Sequence, residues 1–525
     1  MNERERRRPS DRFVLTAAGQ RAIDDAAIAA GVPSVDLMES AGTSASDWIR
    51  ERIDPELVVV LVGPGGNGGD GLVVARLLSE AGARVRILLM PEADGLSGAT
   101  KEMWQRLPSA VEIEHDPGRL DDLLRDAECV VDALFGTGMT RALEGSYRNV
   151  VDQVNAARAH VISLDLPSGL PSDRGALLGP AIQASITLAM AFLKSAHLLF
   201  PAAEHCGNVA VVSVDYPEHT LQGIVPLARV PELEGIAARL PARTPTGHKG
   251  TFGRVLVLAG SHEMPGAAIL TCRAALRSGA GMVFLAVPES VRDLLESALP
   301  EVITLPMPDE DGTLAGIDRP QFADVLASAD VLAAGPGLGR REETLHAVRA
   351  AVERFNGPVI LDADAIYAFA GNLEVLRRAG RRLLLTPHPG EFAALAGGSA
   401  DDGTPESARA FAARHRIHIL LKGRPTTIAT PDGELWLNPT GNTGLATGGS
   451  GDVLTGMISA LAAGGAALSD AAIVAAYLHG RAAEVFSADR SERSLAPSDV
   501  IELLPIVFRE AEREARGEDR RWISS

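Results

Sequence analysis

The stretch T-G-N-T-G-L-A-T-G-G-S-G-D-V-L-T-G at residues 440–456 constrains the fold more than any other part of the chain. Gly448, Gly449, Ser450 and Gly451 carry too little side chain for an ordinary strand or helix. They suit a turn whose consecutive N–H groups converge on an anion. Val453, Leu454, Met457, Ile458 and Leu461 follow on one face at helical spacing. A glycine loop therefore opens onto a helix N-terminus, where the partial positive charge favours phosphate. Asp452 stands at the junction. It reads either as a helix N-cap or as a base taking a proton from a hydroxyl that attacks phosphorus. The glycine loop beside it favours the base.

A chain of 525 residues predicts more than one domain. With 46% hydrophobic but only 4% aromatic residues and 53 glycines, close-packed helices on parallel sheets are expected, not a β-sandwich. A net charge of −18 argues against nucleic acid as a partner, so any phosphate must be held locally by loops. Cys129, Cys206 and Cys272 are isolated, without CxxC spacing, and indicate neither a disulfide frame nor a zinc site. Residues 1–12 are charged and read as a solvated tail, with no apolar segment of a signal peptide. Apolar runs such as residues 58–62 have strand length and are too short to span a bilayer. The expectation is a cytoplasmic α/β protein without a membrane partner.

Residues 16–50 read as two helices broken at Gly31, Val32 and Pro33. A buried strand at 57–62 leads into Gly63-Pro64-Gly65-Gly66-Asn67-Gly68-Gly69-Asp70-Gly71, then a helix at 72–81 and a strand at 84–90, a βαβ unit. Gly63, Gly65 and Gly68 satisfy G-x-G-x-x-G. The acid a dinucleotide site needs after the next strand is represented only by Glu92, so that motif alone is weak. Asn67 and Asp70 are more specific, since two oxygen-bearing side chains on a closely approachable backbone suit a polar ligand or a hard cation. Two later strands run into Asp132 with Gly136-Thr137-Gly138, and into Asp165-Leu166-Pro167-Ser168-Gly169-Leu170. Ligands of open parallel sheets sit outside the carboxyl ends of strands, where Asp132 and Asp165 are expected.

These segments resemble the N-terminal half of the bifunctional NAD(P)H-hydrate repair enzymes. The resemblance implies an epimerase that interconverts the R and S forms of hydrated NADH or NADPH. It implies potassium bound by Asn67, Asp132 and Ser168. The hydrated nucleotide would meet Gly66, Asn67, Gly68, Gly69 and Asp70, the loop Gly136, Thr137, Gly138, Met139, Thr140, Arg141 and Ala142, and Asp165. Asp165 is the expected acid/base group. Two departures stand out: Gly66 replaces the first Asn of the family's Asn-Asn-Gly-Gly-Asp, and Pro171 follows Ser-Gly-Leu where a polar residue is common.

A strand at 209–214 is followed by Pro226, Pro231, Pro241 and Pro245 without clear periodicity, which places a linker at 224–243 between domains at 11–223 and 244–515. No repeat links the halves. Gly247-His248-Lys249-Gly250 opens the second domain, and the absence of G-x-x-x-x-G-K-[ST] argues against a P-loop ATPase. Strand-like runs then end in Gly260-Ser261, in Gly335-Pro336-Gly337-Leu338-Gly339, in Asp362 and Asp364, in Thr386-Pro387-His388-Pro389-Gly390-Glu391, and in Lys422-Gly423-Arg424-Pro425-Thr426. Alone, His388 reads equally as a loop histidine and Lys422 as a solvated strand-end charge. With residues 448–452 they form a recurrent pattern of strand ends aimed at one anionic ligand.

Order and wording are similar to the ribokinase-like superfamily, specifically to ADP/ATP-dependent NAD(P)H-hydrate dehydratases. Ile366-Tyr367 departs from the Leu-Asn usual after Asp-Ala-Asp. The resemblance implies a Rossmann-like three-layer sandwich joined to a ribokinase-like α/β/α domain. It implies that a hydroxyl of the hydrated ring is phosphorylated by ADP with magnesium, after which phosphate leaves. Asp452 would be the base. Lys422, Gly423, Arg424, Pro425, Thr426 and Gly451 would bind the adenine nucleotide, and Ala268, Gly337 and His388 would place the hydrate. A homo-oligomer is the family expectation. Two other readings stay open from the residues: a vitamin-precursor kinase with an accessory module, and a nucleotide-binding sensor that regulates a partner.

Overall fold

The computed structural model describes residues 11–371, 373–398 and 403–517, in two compact units that meet in sequence at Ala228 and Arg229. Residues 1–10 of the expected tail lie outside the described residues, while Arg12 opens a short strand, Arg12–Val14.

In the N-terminal unit a seven-stranded sheet runs in the order Glu112–Glu114, Arg84–Leu89, Leu57–Val62, Cys129–Ala133, His160–Leu164, Ile186–Met190 and Asn208–Val212. Every pairing is parallel. The central strand Leu57–Val62 is buried along its whole length, as a strand covered on both faces must be. Val58, Val60 and Val62 pack with Ala41, Ala45 and Ile49 of the helix Ser34–Arg52 and with Leu72 to Ala75 of the helix Gly66–Glu80. Val59 and Leu61 turn to the other face, against Val150, Val151 and Val154 of the helix Gly145–Ala156. The result is the expected three-layer sandwich. The strand Ile186–Met190 is an addition to the expected elements.

The C-terminal unit carries strands in the order Ala228–Val230, Leu435–Asn438, Thr426–Ala429, His418–Leu421, Leu383–Leu385, Val359–Leu361, Val331–Ala334, Arg254–Leu258, Met282–Pro288 and Ile303–Met307. Pairing is parallel from His418–Leu421 to Ile303–Met307 and antiparallel where Thr426–Ala429 joins its two neighbours. Helices Pro265–Arg277, Ser450–Ala463, Leu468–Ser487 and Pro497–Arg516 contribute to one large core with the sheet. Small residues let them approach. A Cβ added to Gly456 would fall 2.2 Å from the Thr271 carbonyl oxygen, so Gly456 is where two helices touch. This explains a sequence rich in glycine and poor in aromatics.

Two expectations change and one alternative falls. The helix placed at 72–81 begins at Gly66, because the glycines themselves form its first turns and pack closely on the sheet. Asp452 is not an N-cap. Gly449 holds that position with φ of 96°, and Asp452 lies in the first turn of the helix Ser450–Ala463. The stretch 224–243, expected as a linker, contains the strand Ala228–Val230 and the helix Leu233–Arg239. Val230, Ile236 and Ala237 are buried and Arg239 lies over the Trp436 ring, 4.7 Å from its centroid. A three-residue strand and a seven-residue helix are too short to leave a period in the sequence.

Candidate functional sites

In the N-terminal unit the site forms where the strands Leu57–Val62, Cys129–Ala133 and His160–Leu164 end. The turn after the first is forced to glycine: a Cβ on Gly63 would fall 1.7 Å from the Leu134 carbonyl oxygen, and one on Gly68 would fall 2.1 Å from that of Gly63. This close approach presents Asn67 and Asp70 on the opening turns of the helix. At Gly66 a Cβ would meet nothing within 4 Å, so the departure there removes a side chain from open space and not from packing. A Cβ on Gly136 would lie 3.4 Å from Asn67 Cγ and 3.5 Å from Asp165 Oδ2, which brings those three residues to one place. Thr137, Gly138, Met139, Thr140, Arg141 and Ala142 continue as a half-buried to exposed loop.

Asp132 is wholly buried and accepts four hydrogen bonds, all from neutral groups: Ser168 Oγ (2.5 Å) and Leu134 N (3.3 Å) on Oδ1, and Ser168 N and Ser163 Oγ (both 2.8 Å) on Oδ2. Burial outweighs those bonds and raises its pKa above the usual carboxylate range. Both polar atoms of the Asn67 side chain are buried without a hydrogen-bond partner. Such a group needs a polar partner. Burial, reinforced by the charges of Asp165 and Asp24, pushes Asp70 well up.

Asp165 follows its strand with φ of 61°, in the left-handed region. Its Oδ1 accepts from Lys194 Nζ at 2.5 Å and from Met190 N at 3.2 Å. Lys194 is wholly buried and also donates to the carbonyls of Phe192 (2.9 Å) and Met190 (3.3 Å). His197 Nδ1 accepts from Lys194 N, so Nε2 carries the proton and donates to the Asp165 carbonyl at 2.7 Å. Burial and then the Lys194 charge lower the His197 pKa to about 4, which keeps it neutral. Tyr216 Oη donates to Asp24 Oδ1 at 2.5 Å and accepts from Gln20 Nε2 at 2.8 Å, and its ring stacks on Phe192.

In the C-terminal unit the helix Ser450–Ala463 aims its N-terminus, with Gly449 and Gly451, at the end of the strands Val359–Leu361 and His418–Leu421. Asp452 is pushed up to about 7, first by burial and then by the Asp362 charge, with Lys422 opposing. Lys422 Nζ lies 2.5 Å from Asp362 Oδ1. Gly423 and Arg424 are exposed beyond it, Pro425 and Thr426 half-buried. His388 is the N-cap of the helix Pro389–Ala396: its Nδ1 accepts from the N–H groups of Gly390 and Glu391, and half of the side chain stays exposed. Gly337 has φ of 64° and packs against Met264 and Ala267, while Ala268 is wholly buried beneath Gly260. Tyr367 faces the Arg340 guanidinium at 3.7 Å, and Arg340 Nε donates to Asp364 Oδ1 at 2.7 Å. The Tyr367 departure thus supports a stacked arginine.

Residues 34–196 match the family described as YjeF-related protein N-terminus, and residues 255–506 match that of NAD(P)H-hydrate dehydratase. The chain is 37% identical over 517 residues to a bifunctional NAD(P)H-hydrate repair enzyme of Moorella thermoacetica, covering 96% of this chain and 98% of that one. It belongs to the bifunctional NAD(P)H-hydrate repair enzymes. A relative of the same name from Thermofilum pendens is 37% identical over 489 residues, covering 91% of this chain and 93% of that one. The ADP/ATP-dependent NAD(P)H-hydrate dehydratase of Bacillus subtilis, crystallised with ATP and magnesium, is 36% identical and covers 54% of this chain and 98% of that chain, with a TM-score of 0.46.

Membership decides against the vitamin-precursor kinase and the sensor. The N-terminal unit is an NAD(P)H-hydrate epimerase and the C-terminal unit a dehydratase. No helix among the described residues is long and apolar enough to cross a membrane. In the epimerase unit, Lys194, His197, Asp24 and Tyr216 escaped the sequence reading. Lys194 had a signal: it is the single charge in the apolar run of residues 186–196. Asp24 and Tyr216 had none, since their meeting joins positions nearly two hundred residues apart.

Proposed function

We propose that Asp165 and Asp452 are the catalytic groups of a coupled repair cycle. The epimerase unit would exchange R and S hydrates of NADH and NADPH, and the dehydratase unit would return the S form to NAD(P)H, converting ADP to AMP and phosphate. The observation that carries the reading is Asp452, a carboxylate raised to about 7 in the first turn of a helix opened by glycines. A base tuned to neutral pH in the first turn of a helix, where the partial positive charge favours phosphate, suits phosphoryl transfer to a hydroxyl.

Water is a poor leaving group at neutral pH and phosphate a good one. Asp452 takes the hydroxyl proton as the oxygen attacks the β-phosphorus of ADP and AMP departs. The phosphorylated carbon then loses phosphate while the neighbouring ring carbon loses a proton, which restores the double bond. Gly451 and its neighbours hold the transferring group, Lys422, Gly423, Arg424, Pro425 and Thr426 the nucleotide, and Gly337 and His388 the hydrate, with Ala268 supporting the wall from beneath. The crystallised Bacillus subtilis relative supports an adenine nucleotide with magnesium. Among the described residues no cluster of three or more His, Cys, Asp or Glu could hold a metal, so magnesium would arrive on the nucleotide phosphates.

In the epimerase unit, Asp165 would move the proton that lets the ring hydroxyl leave one face and return to the other, with Lys194 holding its carboxylate. Potassium fits the residues present. Asn67 Oδ1 is buried without a partner and Asp132 is a buried carboxylate bonded only by neutral donors, so both gain from a cation with Ser168 beside them. Asn67 and Asp70 with Gly66, Gly68, Gly69 and the loop 136–142 would contact the hydrate.

The test mixes the full chain with both epimers, magnesium, potassium and ADP, and follows nicotinamide absorbance. Both epimers are recovered only with ADP, the rate falls as pH drops through about 7 because Asp452 must be ionised, and Asp452→Asn abolishes recovery. Recovery of the S form alone would sink the epimerase assignment. Full activity in Asp452→Asn would sink its role as base.

A further inference from the structure

Asp362 has no role in the reading above, yet its buried carboxylate is held on both oxygens. It follows the strand Val359–Leu361 and its side chain is 1% exposed. Oδ1 accepts from Lys422 Nζ at 2.5 Å and Oδ2 from Thr455 Oγ1 at 2.8 Å. These partners come from different elements: Lys422 follows the strand His418–Leu421, and Thr455 lies in the helix Ser450–Ala463 that carries Asp452. A Cβ on Gly451 would stand 3.1 Å from Lys422 Nζ and 3.7 Å from Asp362 Oδ2. The ion pair is therefore set against the first turn of that helix, where the nucleotide phosphates are read to bind.

We propose that Asp362 is a positioning residue of the dehydratase reaction, which grips Lys422 and Thr455 together and so aims the ammonium at the phosphoryl group in transfer while locking the helix of Asp452. Lys422 then serves the phosphoryl end of the nucleotide and not its adenine end. The inference rests on the reading of Asp452 as the base.

Two physical arguments support it. A buried ion pair is a weak device for stability alone, because desolvation consumes most of the attraction. A pair kept at the mouth of an anion loop has instead a charge to deliver, and a cation held on a carboxylate moves little as phosphoryl charge develops. The groups that act on Asp452 come from several elements, and His479 of the neighbouring helix Leu468–Ser487, 3.4 Å from Ser450 Oγ, is kept neutral by burial. Asp362 and Lys422 meet it from two strand ends and Asp364 from the helix Asp364–Tyr367, with Arg340 bonded to Asp364. Asp362 raises the Asp452 pKa and Lys422 lowers it. Loss of the Asp362 charge removes an influence that raises the Asp452 pKa, so Asp452 gives up its proton at lower pH.

The experiment uses the full chain with the S hydrate, ADP and magnesium. Asp362→Asn is expected to lower kcat roughly 100-fold, the scale of a reacting group misplaced by about an ångström. KM for ADP should change little, and the acid limb of the kcat profile should move to lower pH. Thr455→Val keeps the ion pair and removes one hydrogen bond. It should lower kcat by less, leave the acid limb in place, and be rescued by Thr455→Ser. An Asp362→Asn enzyme with unchanged kcat and acid limb overturns the proposal, as does a Thr455→Ser enzyme no better than Thr455→Val. If Asp362→Asn fails to fold, the Thr455 pair still decides. Failure of the underlying reading is seen separately, as dehydration that survives in Asp452→Asn.

Discussion

Lys194→Met isolates the buried ion pair of the epimerase unit. Methionine matches the length of the lysine stem but removes the ammonium, so the site keeps its volume and loses its charge. Asp165, whose side chain is 12% exposed, would keep only the Met190 N–H on Oδ1, and the Met190 and Phe192 carbonyls would lose a donor. Breaking one side of a buried pair costs about 3–5 kcal/mol. For a unit of this size each kcal/mol lowers Tm by about 2–4 °C, giving a fall of roughly 6–20 °C. Calorimetry of the full chain should show that loss in the transition assigned to the N-terminal unit, while dehydration of the S hydrate continues. Exchange between epimers should be lost. The double variant Asp165→Asn with Lys194→Met removes the stranded carboxylate and should recover part of the Tm but none of the exchange. An epimerase transition within about 1 °C of wild type, well inside the smallest expected shift, would refute the idea that Lys194 compensates a buried charge.

Three further outcomes test the local geometry. Gly63→Ala places a Cβ 1.7 Å from the Leu134 carbonyl oxygen, a collision with backbone that no rotamer relieves; it should destabilise the N-terminal unit by at least about 3 kcal/mol, read by urea unfolding of the full chain. Gly66→Asn, with open space at its Cβ, should be neutral in the same assay. Asn67→Ala removes the unpartnered amide and should abolish potassium activation of epimer exchange, measured by replacing potassium with choline; retained potassium dependence would exclude Asn67 as a ligand.

The two glycine-rich turns, the strand ends at Asp132, Asp165, Asp362 and Lys422, and the junction at Asp452 were all legible in the sequence. Each depends on local chemistry: glycine allows close backbone approach, and a short apolar run followed by a polar turn marks a strand carboxyl end. The parallel sheets follow from the same runs, because strands buried on both faces must be apolar throughout. Even so, glycine misled at 66–71, where a residue poor in helix propensity was expected to delay the helix. Tertiary contact overrode propensity, since only glycines fit beneath the Gly63 carbonyl and against Met38 and Ala133.

The folded chain alone decided which charges meet. Nothing local to Lys194 assigns it to Asp165, and nothing local to Thr455 assigns it to Asp362; parallel sheets bring strand ends distant in sequence to one edge, and burial there makes a pairing compulsory. The same burial, not the identity of the residue, lifts Asp452 to about 7 and holds His197 neutral. Sequence determined which groups were available at the strand ends and that a glycine loop would open the helix of Asp452. Their pairing and protonation were set by the low-dielectric interior, because desolvation depends on the whole packed neighbourhood and not on spacing along the chain.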